Sequence, residues 1–278
     1  MKTHFIQSNI RRAAIVAFFA LAAAFAHDSR AALIIGDNFD TYQNGRLQTV
    51  SGGTSVWTSS TTTLVADATG VAHSGTKYVE LGTTTTEISA SRTFSDVPVT
   101  GTYWVQFSVQ ANFTNTDLNS TNRPQIRFGD GTNNIVTILF RDDLDVFRVA
   151  YVPTVGGSTT NIDTKTASIG TDIKYTDKQW HTFTFGINLT DKTASIYLDG
   201  HTVVSSFTFS GYGDTFNKFD IRSLIPTTAT AGASLRIDSI GFYDTNPFAP
   251  VPEASTWATF AGLAALALGL IARRHRKA

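Results

Sequence analysis

The chain contains three glutamates, Glu80, Glu87 and Glu253. Hydrolysis of a glycosidic bond needs two carboxyl groups across the bond, about 5–5.5 Å apart when configuration is retained. Supplied from one strand, they would be acidic residues at every second position over five residues, as in Glu-x-Asp-x-Glu, and no such run exists. Glu80 and Glu87 flank "LGTTTT" at an odd separation, and "RDDLD" places Asp142 and Asp143 in a turn ahead of Val146. His73, His181 and His201 are isolated. There is no Gly-x-Ser-x-Gly elbow, no phosphate loop and no dinucleotide fingerprint. Cysteine is absent, which removes disulfides, thiolate metal sites and cysteine nucleophiles together.

The residues that remain suit recognition better than bond cleavage. In "GTYWVQFSVQANF" (101–113), Trp104, Gln106 and Gln110 fall on the face opposite Tyr103, Val105, Phe107, Val109, Ala111 and Phe113. An aromatic ring flanked by amides is a platform for a sugar, unless Trp104 belongs to a second layer of core. Tyr212, in the glycine-flanked loop "GYGDTF", is a second aromatic of this kind, since loops carry binding residues more often than strands do. Trp57, Tyr175, Trp180 and Phe216 are further candidate rings.

The segments that must hold these residues read as β-strands. The 101–113 stretch alternates over its whole length. Residues 135–140 and 145–152 are rich in Val, Ile and Phe, and "WHTFTFGINL" (180–189) alternates again. "TASIYLDGHTVVSSFTF" (193–209) is a hairpin with its turn at Asp199-Gly200, and "SLRIDSIGFYD" (234–244) is a last strand. Short strands at roughly ten-residue spacing predict an all-β, two-sheet antiparallel sandwich over residues 32–245.

The two ends differ from this body. Eight of the 22 basic residues and one of the 22 acidic residues lie in the end segments, leaving 14 and 21 in residues 32–272, a net of about −7. A surface of that sign repels phosphate backbones, so no nucleic-acid partner is expected. Residues 1–31 have a basic start, an apolar run over 13–26 and small-x-small sites ending at Ala26 and Ala31. This is the pattern of a secretory signal peptide, with cleavage at either site. Residues 246–255 form a proline-containing linker. Residues 256–272 are uncharged and at the short limit for a membrane helix, and residues 273–278 form a basic tip expected on the cytoplasmic side.

Val251, Pro252, Glu253, Ala254 and Ser255, followed by the apolar run and by Arg273 and Arg274, resemble the PEP-CTERM sorting signal of bacterial surface proteins, with Ala254 where that family has a second proline. The resemblance implies export and a transient inner-membrane tether through residues 256–272. It also implies processing by an exosortase-type enzyme and delivery to the cell surface or extracellular matrix. The body, from "IIGDNFDTY" through "WHTFTFGINLTDKTASIYLDG" to "RIDSIGFYD", resembles the concanavalin A-like jelly roll in its laminin G-like branch. That fold pairs the first and last strands and places Trp180 in the core. It would bring Asp37, Asp40 and Asp238 together as oxygen ligands for a structural calcium; otherwise they are strand-end polar residues. The "DDLD" cluster is a second calcium candidate. No other cofactor is expected. Together these readings describe an exported, tethered, non-enzymatic surface or matrix protein that binds glycan or acts in adhesion. The alternatives are a glycan-active enzyme built on aspartates and a structural matrix protein without a ligand.

Overall fold

The computed structural model describes residues 31–42, 45–47, 57–59, 64–67, 72–95, 97–119, 123–165, 170–213 and 215–248. The expected leader up to residue 30, the motif from Val251 to Ser255, the apolar run and the basic tip lie outside them. Among the described residues no helix is long and apolar enough to cross a membrane.

In chain order the strands are β1 (Leu33–Asp37), β2 (Gly45–Arg46), β3 (Trp57–Ser59), β4 (Leu64–Asp67), β5 (Lys77–Leu81), β6 (Ile88–Thr93), β7 (Thr102–Asn112), β8 (Gln125–Gly129), β9 (Asn134–Phe140), β10 (Phe147–Tyr151), β11 (Thr160–Asp163), β12 (Trp180–Asn188), β13 (Thr193–Leu198), β14 (His201–Thr208), β15 (Lys218–Ser223) and β16 (Ser234–Tyr243). They form two antiparallel sheets. The first runs β14-β13-β12-β7-β16-β5-β4-β2, with β1 also on β16, and the second runs β11-β10-β9-β8-β15-β6-β3.

Alternation decides which side of each strand is buried. On β7 the residues Tyr103, Val105, Phe107, Val109 and Ala111 are all at most 1% exposed, while Trp104, Gln106 and Gln110 face outward and are half-buried. The inner faces of the two sheets meet through aromatic rings. Phe107 of β7 lies 4.9 Å from Phe219 of β15, and Phe185 of β12 lies 5.6 Å from Phe128 of β8. Fully burying a side chain of this size stabilises by about 1.5–3 kcal/mol, and a core built of such pairs needs no disulfide. The β13–β14 hairpin turns through Asp199 and Gly200, both at positive φ, which is the geometry a two-residue hairpin loop requires.

The last strand has two partners on one edge. Leu235 to Ile237 pair with β5, whereas Ile240 to Tyr243 pair with β1. The change occurs at an irregularity between Asp238 and Gly241, where the register against β7 also shifts. Ser239 takes φ of 56° there. The first and last strands therefore pair, as the jelly-roll resemblance implies. The pairing is tied off where the domain begins and ends: the Ala32 amide donates to Asp244 Oδ1 at 2.9 Å, and the Asp244 amide donates to the Ala32 carbonyl at 3.1 Å.

Candidate functional site

The outer face of the first sheet carries a row of rings laid along the backbone. Gly186 of β12 is paired with Trp104, and a Cβ at Gly186 would sit 2.8 Å from two atoms of the indole. The ring can cover β12 only because that residue has no side chain. Gly241 does the same for Tyr243, whose ring would lie 2.7–2.8 Å from a Cβ there. Trp104 and Tyr243 are cross-strand partners, and Tyr197 of β13 lies 5.9 Å from Trp104 at 37°. All three rings are half-buried, one side on the sheet and the other open. Gln106 is the neighbour of Gly241 on β7, and its amide donates to Thr184 Oγ1 at 3.3 Å, leaving its carbonyl toward solvent.

Beside this row, where β16 exchanges β5 for β1, a cleft of about 420 Å³ opens. Asn38, His73, Ser74, Gln106, Ser239 and Tyr243 are among its lining residues. That volume lies in the range of small-molecule sites. The Ser74 and Ser239 hydroxyls are 2.5 Å apart. Burial pushes the Tyr243 phenol above its usual pKa, and its hydroxyl has no hydrogen-bond partner among the described residues. The left-handed backbone at Ser239 costs on the order of 1 kcal/mol, and such strain clusters at binding and switch sites.

Asp238 is buried next to the cleft. One carboxylate oxygen accepts from the Ser74 amide at 2.8 Å, while Oδ1 has no partner. Burial raises its pKa, against the opposing pull of N–H and hydroxyl donors from Ser74 and Ser239 and of the nearby His73.

Farther along the same face Trp180 is half-buried, 5.9 Å from the His73 ring and 6.2 Å from Tyr78. This corrects the expectation that Trp180 packs in the core: as the first residue of β12 it points outward, with Gln110 as its cross-strand neighbour. The Gln110 amide donates to the Lys178 carbonyl at 2.7 Å and its oxygen accepts from Arg236 at 3.0 Å. Gln110 therefore braces the sheet, at the far end from Tyr243. Tyr212 does not join this face. It is 8% exposed and belongs to the hydrophobic core, as do Trp57, Tyr175 and Phe216. The glycines around Tyr212 let the loop fold its ring inward rather than present it.

Of the three aspartates expected to share calcium, Asp37 and Asp40 are engaged by donors from the protein. Asp37 points between the sheets. Its Oδ2 accepts from Tyr42 Oη at 2.5 Å, Trp57 Nε1 at 2.8 Å and Arg92 Nη1 at 2.5 Å, and its Oδ1 accepts from the Phe39 amide at 3.0 Å. Asp40 accepts from the Thr76 and Lys77 amides at 2.7 and 3.1 Å and from Asn38 at 3.0 Å. Asp238 takes the Ser74 amide on Oδ2 and leaves Oδ1 without a hydrogen-bond partner. Among the described residues no group of three His, Asp or Glu side chains could hold a metal ion. The "DDLD" carboxylates are also taken: Asp142 pairs with Arg123, Asp143 with Arg141 and Asp145 with Lys174.

Sequence reasoning missed Tyr197, Tyr243, His73 and Ser74. Tyr243 stood in the motif used to recognise the last strand, and the alternation from Leu235 would have been the signal, but the irregularity at Ser239 breaks that alternation.

No family profile and no curated protein sequence matches the chain. Among solved structures it is similar to a sialidase, at 14% identity and a TM-score of 0.49, over 79% of this chain and 19% of that one. It is also similar to the binding domain of Paraclostridial Mosquitocidal Protein 1, at 14% identity and a TM-score of 0.48, over 77% and 50%. The receptor-binding domain of botulinum neurotoxin type G follows at 14% identity and a TM-score of 0.45, over 79% and 49%. The chain thus spans about a fifth of the sialidase and about half of each toxin domain.

Proposed function

We propose that this chain is an exported, membrane-tethered surface or matrix protein whose sandwich binds glycan on the outer face of the first sheet, without catalysis. The observation that carries the reading is the pair of rings, Trp104 and Tyr243, laid over Gly186 and Gly241 with one side open. A pyranose presents an apolar C–H face to such rings. The Gln106 carbonyl, the Tyr243 hydroxyl and the cleft hydroxyls are then in place for its hydroxyl groups. Among the described residues no paired carboxylates face one another there. Glu80, on the same face, is engaged by Ser234 and Arg236, and Asp238 lies beneath the surface.

Export, tethering through residues 256–272 and processing at Val251–Ser255 by an exosortase-type enzyme rest on the order of these segments in the sequence. The PEP-CTERM resemblance supports this reading, and the concanavalin A-like resemblance supports the sandwich as its working part.

The test is a glycan-array screen of the full chain in detergent, followed by titration of the best glycan against Trp104→Ala and Tyr243→Ala. Loss of a central aromatic anchor costs about 2 kcal/mol, or roughly 30-fold in affinity. Undiminished binding by both variants would remove this face from the reading, and release of reducing ends during the titration would reinstate an enzyme.

A further inference from the structure

The seven arginines whose side chains are described divide unevenly. Arg92, Arg123, Arg141, Arg148, Arg222 and Arg236 each put a guanidinium nitrogen within 3.3 Å of a carboxylate oxygen. Arg127 does not. Its nearest carboxylate, Asp220, is 4.0 Å away and already accepts from Arg222 at 2.9 Å. Arg127 instead directs Nε and Nη2 at one neutral acceptor, Gln125 Oε1, at 3.0 and 2.5 Å. Its Nη1 has no acceptor within hydrogen-bond range among the described residues.

This residue sits at the middle of the second sheet. β8 is the fourth of its seven strands, and Arg127 projects from the outer face, between Asp220 on β15 and Thr137 on β9. Its side chain is 20% exposed. A charge held there gives up much of its hydration. Burial and the neighbouring Arg222 both pull its pKa down, and Asp220 and Glu87 only partly oppose them. Arg222 adds open N–H groups to the same patch, because its bonds use Nε toward Asp220 and Nη1 toward Glu87. Arg127 therefore shares its nearest carboxylate with Arg222, at 4.0 Å against 2.9 Å, and keeps N–H groups that an anion from outside the chain could meet.

We infer that the outer face of the second sheet is a separate site for the carboxylate of an acidic saccharide, with Arg127 as its central ligand and Arg222 beside it. A guanidinium presents parallel N–H groups that match a planar carboxylate, and the free edge of Arg127 is the Nη1 side, toward Asp220 and Arg222. The Ser91 and Thr137 positions flank Arg127 and Asp220 in the same row across the sheet, where hydroxyls can meet those of a sugar. Among the described residues no ring stands in this row, so the site reads charge, whereas the first sheet reads the apolar side of a sugar. The inference does not depend on the first face binding anything.

The experiment is affinity electrophoresis of the full chain in detergent through gels containing a polyuronate, a sulfated glucan or the neutral glucan. Wild type should be retarded by the polyuronate and not by the neutral polymer, and the retardation should weaken as salt rises. Arg127→Gln should lose at least tenfold in apparent affinity for the polyuronate. Arg127→Lys, which keeps the charge without the fork, should fall between. Arg148→Gln, which removes an arginine already paired with Asp163, should match wild type in this assay, which separates loss of one positive charge from loss of this site. Thermal melting of each variant tests whether the sheet is intact. Stronger retardation by the sulfated polymer would overturn the carboxylate assignment. Absence of retardation in wild type, or equal retardation of a natively melting Arg127→Gln, would overturn the site.

Discussion

Removing the Asp37 carboxylate should destabilise the sandwich more than removing any other acidic side chain described above. Asp37 reaches from β1 in the first sheet to Arg92 on β6 in the second, and their side chains are 4% and 12% exposed. Arg92 also lies 4.4 Å over the Phe94 ring, which leaves it little freedom to turn toward water. Breaking a buried pair by deleting one partner costs about 3–5 kcal/mol, because the remaining charge is uncompensated. The Tyr42 and Trp57 donors would lose their acceptor as well, at about 1–3 kcal/mol each if no water follows. These penalties overlap, so about 4 kcal/mol is expected for Asp37→Ala. For a domain of roughly 200 residues that corresponds to a fall in Tm of about 8–16 °C. Urea unfolding followed by tryptophan fluorescence reads it directly, since Trp57 is part of the network. Replacing both partners, Asp37→Leu with Arg92→Met, should cost less than either single change. Chelation of divalent cations should leave the wild-type transition in place, because the donors to Asp37 come from the protein. A loss below about 1 kcal/mol in Asp37→Ala, or a chelator effect that this variant abolishes, would show that Asp37 serves a cation instead of Arg92.

Three further outcomes are expected. Burial lowers the pKa of His181, but hydrogen bonds and charge from Asp199 at 2.7 Å and Asp177 at 3.0 Å outweigh it and hold the imidazole above its usual value. Its contribution should be complete below about pH 6.5 and lost as pH rises through the higher folded value, so the urea midpoint gap between wild type and His181→Gln should shrink from pH 5.5 to pH 9. Asp238 has a raised carboxyl pKa, so its contribution is present below the usual value near 3.9 and falls away as pH rises through the folded one. Asp238→Asn should therefore compare better with wild type at pH 7 than at pH 3.5, as a pair of denaturation curves would show. Gly186→Ala drives a methyl against the Trp104 ring and Ser195; overpacking of this kind costs about 1–3 kcal/mol, and the variant should lose glycan binding while tryptophan emission reports a moved indole.

The parts of this fold that were legible in the sequence are those set by local alternation. β7, β12 and β16 could be placed because one side of each is apolar over many residues, and the β13–β14 turn because Asp-Gly adopts positive φ readily. Trp104 and Gln106 followed from β7 alone. What escaped depends on contacts distant in sequence. Nothing near Trp57 says that its indole will meet Asp37, and nothing in "GYGDTF" says that Tyr212 turns inward to fill a gap. The cleft needs β16 to change partners at Ser239, an event recorded in neither neighbour's sequence. Arg127 escaped for another reason: a charged residue at an outward position of "QIRFG" looks ordinary beside the other described arginines until their closer acids are known.

The hydrogen bonds between Ala32 and Asp244 have a use in engineering. Because β1 and β16 are antiparallel neighbours and their outer ends lie side by side, the sandwich forms a loop nearly closed on itself. It can be spliced into an exposed turn of another protein without prising that turn apart, since both junctions fall within one strand spacing, roughly 5 Å. Equally, its own ends can be joined by a few glycines and the chain reopened at the Asp199-Gly200 turn, keeping the pairing of β1 with β16 as an internal hairpin. Such permutants would move the two ends of the chain to the opposite end of the sandwich.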